Sequence, residues 1–68
     1  MHPNEVLWQL FKNGPTWDGD IVSKQSRDWL IENDFAARTN GYTFLTHDGV
    51  VAAIAIGCDK RKEAERAR

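Results

Sequence analysis

The chain predicts an α+β domain with the element order α-β-α-β-β-α, in which helices pack on a short antiparallel sheet, and three observations carry that expectation. Val6, Leu7, Leu10 and Phe11 recur at three- and four-residue spacing and form one apolar helical stripe. Asn40-Gly41 stands between two short runs, 35–38 and 42–45, and Asn-Gly closes tight hairpins because both residues accept positive φ. Ser23 and Thr46 each precede a helical stretch as hydroxyl caps.

The first helix is expected to begin near Pro3, whose missing N–H costs nothing at that position, with Asn4 as a second candidate cap. Glu5, Gln9 and Lys12 mark its wet side, and Gly14-Pro15 ends it. Asp18-Gly19 signals a turn, and residues 20–22, with Ile21-Val22 β-branched, are expected to form a brief edge strand. The second helix runs from Ser23 to about Asn33. Its pattern is weaker, because Trp29, Leu30 and Ile31 are consecutive and cannot share one face. After the hairpin, Thr46 starts a third helix with Asp48 near its positive end, and Val50, Val51, Ile54 and Ala55 are expected to point inward. Gly57 weakens or ends it. Residues 1–58 thus make one domain, and 59–68 a charged tail that is polar all round, either a helical extension or a frayed end.

A chain of 68 residues is sized for a single small core, and 41% hydrophobic with 28% charged residues is a globular composition. The lone Cys58 excludes an internal disulfide and is expected to be a small apolar filler, and the two histidines are too far apart in sequence for a metal-ligand motif, so neither metal nor cofactor is expected. There is no run of apolar residues long enough to span a membrane and no secretory h-region, which points to the cytoplasm. The net charge of −1 is unevenly spread: residues 1–58 carry four basic against seven acidic side chains, and 59–68 carry five against three. The body therefore repels a polyanion, and attraction to phosphate has to come from the tail and a few local cations.

The words SKQSRDWLIENDF, NGYTFLT and HDGV, over residues 20–51, resemble the winged-helix (winged helix-turn-helix) superfamily. The compact form, with its WDGD and LT words, is also similar to small uncharacterised proteins of tailed phages and prophages. The resemblance implies that Ser23 to Asn33 is the recognition helix, the hairpin at Asn40-Gly41 the wing, and Thr46 to Gly49 the start of the next helix. Two departures stand out: residues 16–22 leave no room for the helix that usually precedes the recognition helix, so the form is reduced, and Asp28, Glu32 and Asp34 bring carboxylates toward any phosphate line.

Under that resemblance Ser23, Lys24, Gln25 and Arg27 reach base edges, Arg and Gln being the side chains for guanine and adenine, while Arg38 and Asn40 touch the adjacent backbone. The plainer alternative is a solvated helix face and a soluble strand end. Lys60, Arg61, Lys62, Arg66 and Arg68 add nonspecific phosphate contacts, or else pair with Glu63 and Glu65 on a solvated helix end. Trp17, in a turn rich in Asp and Gly, is either a partner-binding anchor or a ring folded over the core. A core role is more automatic for Trp8 and Trp29. His47 with Asp48, and Asp18 with Asp20, read as helix-start and turn chemistry, so no catalytic residue and no enzyme activity is expected.

Two functions follow as expectations. The first is a non-enzymatic accessory or regulatory protein of phage or prophage type, acting on double-stranded DNA in the bacterial cytoplasm, in transcription regulation for example, and needing dimerisation or recruitment to bind usefully. The alternative is a protein-interaction module on the same fold that docks a phage or host protein without DNA contact. Exposure of Trp17 and the charge around Lys24, Arg27 and Arg38 separate the two.

Overall fold

The computed structural model describes residues 3–60. Helix α1 spans Pro3–Asn13, strand β1 Thr16–Trp17, helix α2 Lys24–Glu32, strand β2 Ala36–Thr39, strand β3 Tyr42–Leu45 and helix α3 His47–Ala55. The sheet is antiparallel with β3 at its centre, in the order β1-β3-β2. The molecule is thus a small α+β domain.

The α1 stripe buries as its periodicity requires: Val6, Leu7 and Leu10 are buried and Phe11 half-buried. The helix starts at Pro3, so Asn4 lies within its first turn instead of capping it. Gly14 adopts φ 73° and donates its N–H to the Leu10 carbonyl at 2.9 Å, which closes the helix in the left-handed conformation that glycine accepts.

The first strand is not at 20–22. Strand β1 forms at Thr16 and Trp17, which pair with Thr43 and Tyr42. Asp18–Asp20 then tightens into a 3₁₀ turn, and the Ile21 N–H reaches the Asp18 carbonyl at 3.4 Å. Ile21 is instead a core residue. The β-branched pair Ile21-Val22 lost to position: directly after the Gly14-Pro15 turn, the chain is already alongside β3, and pairing there satisfies the backbone before Ile21 is reached.

Helix α2 begins as expected. Ser23 Oγ accepts from the Ser26 N–H at 3.2 Å, and Ser26 and Leu30 are fully buried. At its other end Asp34 takes φ 63°, and the Phe35 N–H donates to the Leu30 carbonyl at 2.8 Å, a Schellman-type closure with an aspartate where glycine is commoner. Strand β2 starts one residue later than 35. Thr39 pairs with Tyr42 across a two-residue turn, Asn40 at φ 54° and Gly41 at φ 82°, the signs of a type I′ hairpin.

Thr46 caps α3 by accepting from the Gly49 N–H at 3.1 Å, while its own hydroxyl donates to the Asp34 carbonyl at 2.6 Å. The face turned inward is not the expected one. Gly49 and Ala53 are buried, whereas Val50, Val51, Ile54 and Ala55 are exposed. The backbone dictates this: a Cβ on Gly49 would lie 1.8 Å from the Phe35 carbonyl oxygen, and the Thr46 N–H donates to that same oxygen at 3.1 Å. Only the glycine face fits so close an approach. Gly57, at φ 90°, ends the helix, and 58–60 begin another helical turn. The remaining tail positions, including Arg61, Lys62, Glu63, Glu65, Arg66 and Arg68, lie outside the described residues.

The core gathers Val6, Leu7, Leu10, Ile21, Leu30 and Ala36, with Ile31, Phe35 and Leu45 packed against it. Gln9, placed on the wet side by its spacing, is half-buried and ties the 3₁₀ turn down: its amide nitrogen donates to the Asp20 carbonyl at 2.6 Å and its oxygen accepts from the Val22 N–H at 3.0 Å. Cys58 is buried.

Candidate functional site

The 3₁₀ turn, the start of α2 and the β2-β3 hairpin converge on one carboxylate. Asp18 is fixed by its own backbone, because its N–H donates to the Gly41 carbonyl at 2.9 Å and so joins the 3₁₀ turn to the hairpin tip. Its side chain then collects two cations. Arg27 Nη1 lies 3.2 Å from Asp18 Oδ1, and Arg38 donates from Nε at 3.0 Å to Oδ1 and 3.1 Å to Oδ2, with its Nη2 also on Oδ2. Arg27 is further held by Asp28, Nε at 2.9 Å and Nη2 at 2.8 Å from Oδ1.

This geometry explains the electrostatics. The hydrogen bond from Arg38 holds the Asp18 carboxyl below the usual aspartate range, burial opposes that shift, and the charges of Arg38, Arg27 and Lys24 add to it. In return the Asp18 hydrogen bond raises the Arg38 guanidinium above its ordinary value. Two of the cations expected to meet phosphate are therefore brought together around Asp18, and with Asp28 on Arg27 two carboxylates balance the two guanidinium groups.

The other expected DNA-contacting residues are scattered in role. Lys24 and Gln25 are exposed on the first turn of α2. Ser23 is committed to capping, and its hydroxyl also donates to Ser26 Oγ at 3.1 Å. Asn40 is exposed in the turn, where its positive φ is its structural contribution. Further along α2, Gln25, Asp28, Trp29 and Glu32 line a shallow cleft of about 270 Å³ that carries two carboxylates. Trp29 is itself at the rim, exposed on one side and stacked near Phe35 with centroids 6.1 Å apart, so it is not the core residue its sequence position suggests.

Trp17 is half exposed, at 50%. Its ring lies over the hairpin: a Cβ on Gly41 would come 2.4 Å from Trp17 Cζ3, and Tyr42, 47% exposed, tilts against it with centroids 5.4 Å apart. The ring is folded over the turn, not over the core. Tyr42 and Asp18 are the members of this site that the sequence did not announce, since Asp18 meets Arg38 across 20 positions and no local motif encodes that meeting.

Among the described residues, no group of three or more His, Cys, Asp or Glu side chains stands close enough to hold a metal ion, and no helix is long and apolar enough to cross a membrane. His47 and Asp48 are exposed at the start of α3. Compared with protein-family models, curated proteins and solved structures, the chain matches none.

Proposed function

We propose that this chain is a reduced winged-helix-like module that acts without catalysis, docking onto a protein partner through the aromatic face formed by Trp17 and Tyr42. The winged-helix reading is supported by the β1-β3-β2 sheet order, by α2 leading directly into the hairpin, and by the Asn40-Gly41 turn at its tip. The 3₁₀ turn at Asp18–Asp20 occupies the place where a fuller member would carry another helix.

The single observation that favours a protein partner is the pairing of half-exposed aromatic rings beside two arginines already paired with Asp18 and Asp28. Rigid aromatic side chains supply contact area at little entropic cost and concentrate binding energy. Residues 3–60 carry five basic against eight acidic side chains, so a partner surface that is apolar with a basic rim suits this face better than a polyanion. The resemblance of the WDGD and LT words to small phage and prophage proteins supports a phage or host protein as the partner class.

One observation supports the nucleic-acid reading as second. Lys24 and Gln25 are exposed on the first turn of α2, and the Arg38–Asp18 ion pair at the hairpin is open to solvent and therefore weak, so phosphate can replace the carboxylate.

Titration of isotope-labelled protein with a short mixed-sequence duplex, at low and near-physiological salt, is paired with affinity capture by the wild type, Trp17→Ala and Tyr42→Ala. The docking reading expects silence on the duplex and a captured protein lost in both variants while their circular dichroism stays native. Salt-sensitive shifts clustered on Lys24, Gln25, Arg27, Arg38 and Asn40 overturn it in favour of DNA.

A further inference from the structure

The hairpin tip displays a chemically labile pair and at the same time holds it shut. The chain has two Asn-Gly pairs, at 13–14 and 40–41. At the first, the Gly14 N–H is donated to the Leu10 carbonyl at 2.9 Å, so that nitrogen is committed. At the second, Asn40 is exposed, and the hydrogen bond that closes a two-residue turn joins the flanking Thr39 and Tyr42, which leaves the Gly41 N–H outside it. Asparagine is among the labile side chains, and before glycine its carboxamide meets a backbone nitrogen that no neighbouring Cβ shields.

We propose that Asn40 is a site of spontaneous deamidation, gated by opening of the hairpin. Water is the only co-reactant. The Gly41 nitrogen, its proton lost to solvent, bonds to Asn40 Cγ; the Cγ–Nδ2 bond breaks, ammonia leaves and a cyclic imide forms. Water then adds to either imide carbonyl, and cleavage of that carbon–nitrogen bond leaves aspartate or isoaspartate at position 40.

The closed turn keeps the reacting atoms apart. With φ 54° at Asn40 and 82° at Gly41, a type I′ turn sets ψ of Asn40 at about 30°. In an L residue that value places Cβ and the following nitrogen nearly trans across the Cα–C bond, whereas ring closure needs them nearly eclipsed. The turn must therefore open first. Two contacts hold it closed: the Asp18 N–H donates to the Gly41 carbonyl at 2.9 Å, and the Trp17 ring fills the space beside Gly41. Local opening against these contacts sets the rate. Isoaspartate inserts a methylene into the backbone, which a two-residue turn of fixed register does not absorb, so the modified tip no longer closes under Trp17. This chemistry holds whatever the Trp17 and Tyr42 face binds, and its covalent readout keeps its test separate from the docking experiment.

The full chain is incubated at neutral and mildly alkaline pH, folded and in urea, and position 40 is followed by peptide mapping with mass spectrometry. Aspartate and isoaspartate are expected at Asn40, faster at the higher pH, and at least about tenfold more slowly in the folded chain than in urea. Trp17→Ala is expected to move the folded rate toward the urea rate, and Trp17→Phe, which keeps a ring, to stay near the wild type. In the wild type the rate is expected to follow hydrogen exchange of the Asp18 amide as temperature rises, and the isolated isoaspartyl form to show altered tryptophan emission. Asn40 intact even in urea overturns the site. Equal rates folded and in urea, or a rate that does not follow Asp18 exchange, overturn the gate; Trp17→Ala no faster than wild type with native circular dichroism removes Trp17 from it, and native emission of the isoaspartyl form overturns the unlatching.

Discussion

Helices α1 and α3 both carry large apolar side chains, yet they meet the rest of the molecule in opposite ways. On α1 the large side chains Val6, Leu7 and Leu10 go inward, and the helix stands off its neighbours by the width of a side chain. On α3 the inward residues are Gly49 and Ala53, and the helix lies against the backbone at Phe35. Hydrophobicity alone therefore does not choose the buried face. Separation does: where two backbones are held together by a hydrogen bond such as Thr46 N–H to Phe35 O, only residues without bulk fit between them.

The largest effect should come from disturbing the close approach. Gly49→Ala places a methyl group against a backbone oxygen that cannot rotate away, and a loss of about 3 kcal/mol or more is expected, read as loss of the folded baseline in urea denaturation. Leu10→Ala, on the stand-off side, removes a buried side chain and is expected to cost about 3 kcal/mol, a large share of what a core this small supplies. If Gly49→Ala proved milder than Leu10→Ala, the contrast between the helices would fail.

Gly41→Ala tests whether the second close approach works as the first does. Its φ of 82° disfavours a side chain and the new Cβ would meet the Trp17 ring, but a ring at the surface moves where a carbonyl cannot. About 1–2 kcal/mol is expected, together with a shift in tryptophan emission as Trp17 lifts. Ile54→Ala, on the outward face of α3, is expected to change stability by no more than about 0.5 kcal/mol, read by urea denaturation.

The smallest effect is electrostatic and lies outside both helix contacts. Because Arg38 holds the Asp18 carboxyl below its unfolded value of 3.8, Asp18 contributes stability fully above that pH, and the contribution is lost as pH falls through the lower folded value. Acid titration of Asp18→Asn should lack that component, and salt should shrink it in the wild type. An unchanged acid limb would show that the cluster around Asp18 does not contribute to stability.

Much of the local architecture was legible. The α1 stripe, the Ser23 and Thr46 caps, and the Asn40-Gly41 turn all follow from interactions within a few residues, where spacing and φ preference suffice. The candidate site was half legible: Trp17, Arg27 and Arg38 stood out by residue type, but Asp18 as their junction did not, because it joins segments 9 and 20 positions away. The sequence by itself determined which segments become helix or hairpin, since the backbone's own donors and acceptors are satisfied locally. Only the tertiary structure decided that β1 sits at Thr16–Trp17, that α3 turns its glycine inward, and that two arginines share one carboxylate. Those choices depend on distances between segments remote in the chain, and no periodicity within a segment records how closely another will approach.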